Sequence, residues 1–148
     1  MPWKTTTDRA KKDLAEGKRP STAAGEFVRE EMEHVRRGKH GARSPKQAIA
    51  IGLSKARRAG VPLKPPARGK ASERTRKSAS RAYEVGQGKR KPRAPSPRRS
   101  AAVEGALRRE RRSSASAREL SRQAKGAAKR RRGGGRAGAR RGTKRSSR

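Results

Sequence analysis

His34 and His40 are the only histidines in the chain, and Glu30 and Glu31 stand just ahead of the first of them. Imidazole and carboxylate groups are what a metal centre or an acid–base pair is assembled from. The chain has no Cys, and no carboxylate pair is read at ligand spacing with either histidine. Glu26, Glu30, Glu31 and Glu33 come before Arg36 and Arg37 along one helical segment, an order that suits the helix dipole, so Glu30 and Glu31 are read in dipole and solvation roles. No GxxxxGK[ST] occurs, and the Gly133–Gly135 run follows no strand, which removes a phosphate loop. The expectation is no catalytic residue, no cofactor, no metal ligand, and hence no enzyme.

The abundant chemistry is cationic. The 148 residues carry 45 Lys+Arg against 12 Asp+Glu, a formal net charge of +33. Residues 1–60 hold fifteen basic and seven acidic side chains; residues 61–148 hold thirty and five. A basic second half behind a mixed-charge first half implies a polyanionic partner. The densest run is Lys129, Arg130, Arg131 and Arg132, continued by Arg136, Arg140, Arg141, Lys144, Arg145 and Arg148. Cations at this density neutralise phosphates and release counterions. Arg98 and Arg99 in "SPRR" (96–99) are similar to the Ser-Pro-basic-basic units of histone tails, which enter the A·T minor groove. Arg57 and Arg58 end the best helical segment, where they could meet phosphates or simply favour the helix C-terminus. Trp3, Phe27 and Tyr83 are the only aromatics, too few for a base-stacking platform.

The elements that position these groups are read from caps and periodicity. Residues 5–16 suit a short helix with Thr5 and Asp8 as capping box and Gly17 as stop, marginal alone and part of an N-terminal arm (1–20). Residues 21–37 suit a second helix, with Ala24, Phe27, Val28, Met32 and Val35 on one arc. "GKHGARS" (38–44) is a polar loop. Ser44, Pro45 and Gln47 then open a third helix, which Gly60 and Pro62 close. Ile49, Leu53 and Ala56 line its apolar face, and the small side chains Ala48, Gly52 and Ala56 would admit a partner helix closely. The two helices predict an antiparallel hairpin head over 21–61. A helix-turn-helix is not expected, since its turn is shorter than this loop. Beyond lie a Pro-rich linker (62–71), a short helix (72–86), a Pro/basic linker (87–100), basic helices conditional on a polyanion (101–132), and a disordered Gly/Arg tail (133–148). Leu, Ile, Val and Phe number only thirteen, too few on this count to order the whole chain. The fold class expected is mainly α with extensive disorder: a helical hairpin head and a basic, largely disordered tail.

The blocks "GEFVREEMEHVRRGKHGARSPKQAIAIGLSKARRAGVP" and "ALRRERRSSASARELSRQAKGAAKRRR" resemble a family of small, basic bacterial proteins, largely uncharacterised and labelled only as DNA-binding or histone-like. That resemblance implies a bacterial cytoplasmic protein and no established mechanism. With the charge pattern, it leads to an expected sequence-nonspecific, nucleoid-associated DNA binder acting through a polycationic tail. Two alternatives stand beside it: an RNA- or ribosome-associated protein, and an adaptor whose 21–61 head associates with itself or with a protein partner. No membrane span and no secretory signal are expected.

Overall fold

Six α-helices and one 3-10 turn follow one another, with no strand among the described residues beyond an isolated Arg68–Ala71 bridge. The helices are α1 (Lys4–Ala15), α2 (Pro20–Arg36), α3 (Pro45–Arg58), α4 (Glu73–Gly86), α5 (Pro97–Arg109) and α6 (Ala117–Gly142), with the 3-10 turn at Ser113–Ala115. This computed structural model describes the backbone of residues 2–142 and the side chains of residues 2–132.

The α2–α3 hairpin forms as its sequence dictates. The Ser44 hydroxyl accepts from the Gln47 N–H, and the Gln47 side chain turns back to accept from the Arg43 N–H at 2.7 Å. At the other end Gly60 takes φ +94, a backbone state that costs glycine little. The Val61 N–H then reaches the Ala56 carbonyl and the Gly60 N–H the Arg57 carbonyl, which closes a Schellman motif. The small-residue stripe of α3 is its buried face: Ala48, Gly52 and Ala56 are covered, while Ile49 and Leu53 are only half-buried. A Cβ on Gly52 would stand 2.7 Å from the Val28 Cα, so α2 and α3 touch backbone to backbone there.

α1 begins without its expected Thr5 cap. Trp3 precedes α1 and Arg19 precedes α2, neither helix has a side-chain cap, and Pro20 opens α2. Nor is α1 marginal in place. Ala10 is buried with Ala23, Ala24, Phe27, Ala56 and Val61, and Leu14 packs at the edge.

The expectation of a head followed by a largely disordered tail is overturned. Within the expected linker 62–71, Leu63 packs against the first core cluster and leads the chain back so that α4 lies on α3. There Ala79 and Ala82 are buried and the Gln87 amide donates to the Gly60 carbonyl at 3.1 Å. The expected 87–100 linker gives up its last residues to α5, with Ser96 before it and Pro97 in its first turn; "SPRR" therefore opens a helix. Residues 107–115 then dock on the α2–α3 loop: Gly41 N–H donates to the Leu107 carbonyl at 2.7 Å and Ala42 N–H to the Arg111 carbonyl at 3.0 Å. Ala115 is fully buried in a second cluster with Met32, Val35, Ala42 and Ala48. α6 starts after Ser116, whose hydroxyl accepts from the Glu119 N–H. The expectation for 133–148 lies outside the described residues for all its side chains and, from 143, for its backbone.

The reason is the size of the core residues. Among the described residues, nine of the thirteen buried apolar side chains are alanine, so a count of Leu, Ile, Val and Phe misses most of the core. Alanine adds little area alone, but it costs no side-chain entropy and lets helix backbones approach into dense contact.

Candidate nucleic-acid interface and a buried charge cluster

The cations expected to meet phosphate divide by position. Arg98 and Arg99 are exposed in the first turn of α5, a helix with no buried residue. Arg58 is exposed at the end of α3. Lys129, Arg130, Arg131 and Arg132 are exposed on α6. Arg136, Arg140 and Arg141 lie on the backbone course of α6 but their side chains are outside the described residues; Lys144, Arg145 and Arg148 are outside altogether.

Arg57 is the exception. It is 8% exposed, and its guanidinium donates to the Leu63 carbonyl at 3.1 Å and to the Lys64 carbonyl at 3.4 Å. Burial pushes this group below its ordinary value. Its work is to hold the chain that leaves α3, which takes it out of any phosphate-facing set.

On α6 the described cations fall into register. Arg118, Arg122, Lys125, Lys129 and Arg132 recur at intervals of four, three, four and three residues and are all exposed. That spacing places them on one helical face. At about 1.5 Å of rise per residue the stripe is roughly 21 Å long. Leu120, on another face, packs against the second core cluster and orients the helix. Only Arg122 on this stripe has a carboxylate partner among the described residues, Glu119 at 2.9 Å.

A second constellation went unread in the sequence. Glu30 and Glu31, expected in solvent, are 2% and 0% exposed, and His34 is 7% exposed. The apolar arc of α2 accounted for one buried face, but α2 is buried on two, by α1 and by α3. Glu31 meets α3, where the Lys55 ammonium donates to its Oε2 at 2.6 Å. Glu30 meets the start of α1, where the Trp3 backbone N–H donates to its Oε2 at 3.1 Å. The edge of the Trp3 ring stacks on His34 at 4.8 Å, and Lys39 and Arg37 lie over the indole at 5.0 and 5.4 Å. His34 Nδ1 is 3.8 Å from Glu31 Oε2, and His40 Nε2, reaching in from the loop, is 3.1 Å from Glu31 Oε1. Burial, reinforced by Lys55 and Lys39, holds His34 below the usual imidazole range. The signal that would have found this group is Glu31-x-x-His34, an i,i+3 pair on one helix face.

Comparison with known proteins places one family on this region. A family model described as "Family of unknown function (DUF6496)" matches residues 19–68, about a third of the chain, which spans α2, α3 and the start of the linker. The chain is similar to that family over the hairpin carrying the buried cluster. No curated protein and no solved structure matches the chain. No described helix is long and apolar enough to cross a membrane.

Proposed function

We propose that this protein is a non-enzymatic, sequence-nonspecific DNA-binding protein of the bacterial nucleoid, similar to histone-like proteins in its mode of action. The observation that carries the reading is the exposed cationic stripe of α6 in a stretch with no carboxylate after Glu119. A helix studded with cations at roughly 5 Å intervals tracks a phosphate backbone without reading bases. The α2–α3 hairpin holds the start of α6 through Ala115 and Leu120, so the stripe is presented from a fixed point. Exposed Arg98, Arg99 and Arg58 extend the positive surface. The paucity of aromatics disfavours single-stranded RNA, whose recognition relies on stacking.

The test is the salt dependence of duplex binding. Log K should fall against log salt with a slope of about −0.9 per neutralised phosphate. Deleting residues 129–148 removes ten Lys and Arg and should make the slope markedly shallower. Changing the duplex sequence at fixed length should leave the affinity nearly constant. A shallow slope in the full chain, a strong preference for one duplex sequence, or much tighter binding to RNA than to DNA would each defeat the reading.

A further inference from the structure

Glu31 sits at the centre of an unbalanced arrangement. Its side chain is fully buried, and Lys55 occupies one of its two oxygens. The other, Oε1, makes no hydrogen bond although His40 Nε2 is 3.1 Å away; the pair is close without hydrogen-bond alignment. Glu30 and Glu31 are both buried, Lys55 pairs with Glu31 alone, and a buried carboxylate oxygen without a donor is costly.

Both histidines crowd that carboxylate: His40 Nε2 lies by Oε1, and His34 Nδ1 lies 3.8 Å from Oε2. His40 Nδ1 lies 3.0 Å from the Gly41 carbonyl. A carbonyl only accepts, so a hydrogen bond there puts a proton on Nδ1, and His40 turns its Nε2 toward Glu31. His34 Nδ1 approaches from the same helix one turn on, while its Nε2 lies 3.7 Å from Glu30 Oε1, and neither of those two atoms has a hydrogen-bond partner among the described residues. Each imidazole thus has an oxygen behind the nitrogen that does not face Glu31. Ligating histidines are oriented by a carbonyl or a carboxylate hydrogen-bonded to the far ring nitrogen; Gly41 already supplies this to His40, and Glu30 would close from 3.7 Å to supply it to His34. The ligand atoms of Glu31, His34 and His40 all lie within 4.8 Å of one another. Around a tetrahedral ion with bonds of about 2.0–2.2 Å, neighbouring ligands stand roughly 3.3–3.5 Å apart. The Glu31–His40 separation, 3.1 Å, is just short of that spacing, and modest side-chain rotation adjusts the rest.

We propose that Glu31, His34 and His40 bind one divalent transition-metal ion of the zinc class. Two imidazole nitrogens and one carboxylate select zinc, cobalt or nickel over magnesium and calcium, which prefer oxygen ligands throughout. Glu30 is a positioning residue behind His34, and Lys55 fixes the Glu31 carboxylate so that Oε1 is the ligating atom. The ion joins α2 to the loop whose Gly41 and Ala42 amides hold residues 107–115. The site stands apart from the α6 stripe, and its failure would leave the DNA-binding reading untouched.

The experiment uses the full chain, freed of nucleic acid in high salt and of metal by chelation. Added Co²⁺ should give saturable visible d–d absorption at one ion per chain, which Zn²⁺ displaces. His40→Ala, in a half-buried loop position, should keep the far-UV circular dichroism of the parent and abolish saturable binding. Glu30→Gln should weaken binding by about 10–100-fold. In the unmodified chain the ring nitrogen-15 resonances of both histidines should shift on adding Zn²⁺, a readout that needs no variant. Absence of saturable Co²⁺ binding, unshifted histidine resonances, or undiminished binding by a folded His40→Ala chain would overturn the site. The first of these would mark the cluster as an ion-pair network closed by a proton.

Discussion

Removing the Lys55 ammonium tests the buried cluster most directly. Lys55 Nζ lies 2.6 Å from Glu31 Oε2; the Glu31 side chain is 0% exposed and that of Lys55 24%. Lys55→Met keeps the aliphatic reach of the side chain and removes only the charge, so little packing is lost. It strands a carboxylate with no solvent to turn to. Breaking one partner of a buried pair costs about 3–5 kcal/mol, and the partial exposure of Lys55 places the expected loss near 3 kcal/mol. For a chain of this size that is a fall in melting temperature of about 10 °C. Glu31→Gln together with Lys55→Met removes the stranded charge as well as its partner, and exchanging a buried pair for neutral groups is often neutral. The double variant should therefore recover most of the loss, to within about 1 kcal/mol of the parent. Urea unfolding followed by circular dichroism, with chelator present so that metal cannot contribute, reads all four corners of the cycle. A Lys55→Met chain within about 1 kcal/mol of the parent, or a double variant no better than the single, would refute the reasoning.

Three further outcomes follow from the packing. Gly52→Ala puts a methyl group 2.7 Å from the Val28 Cα and 3.0 Å from the Phe27 carbonyl oxygen, so the hairpin must open; a loss of about 1–3 kcal/mol is expected from the urea midpoint. Ala115→Asp places a carboxylate in the second core cluster and should undock residues 107–115, seen as faster hydrogen exchange at the Gly41 and Ala42 amides while the Ala10, Ala24 and Phe27 region keeps its protection. Arg57→Ala should lower thermal stability and leave the salt slope of DNA binding unchanged, whereas Arg58→Ala should leave stability unchanged and alter the slope by at most about one unit; the reverse pattern would show that the two arginines have been assigned each other's work.

The local conformation of α3, α4 and the start of α6 was legible residue by residue. Ser44, Pro45 and Gln47 cap α3, Gly60 ends it, Ser72 and Ser116 begin α4 and α6, and each signal acts over three or four residues with no need of the rest of the molecule. The repeat of Ala48, Gly52 and Ala56 announced a close helix partner, and α2 is that partner. The cationic spacing of α6 was likewise in the sequence, because helix periodicity alone aligns residues three and four apart.

Burial was decided elsewhere. Whether an alanine counts as core depends on a second backbone coming within reach, which no single segment encodes; this is why residues 62–86 and 107–120 read outside the head and yet close upon the hairpin. Arg57 and Arg58 are neighbours of the same type, and only the return of the linker past α3 takes one into the interior and leaves the other in solvent. Glu31 carries the same carboxylate in any helix, but α1, α3 and the 38–44 loop arriving on different sides of α2 turn it from a surface charge into the buried meeting point of Lys55, His34 and His40. Caps and periodicity are properties of neighbours along the chain, so the sequence by itself determined the helices and the charge they carry. Desolvation and charge pairing are properties of neighbours in space, and those only the tertiary structure decided.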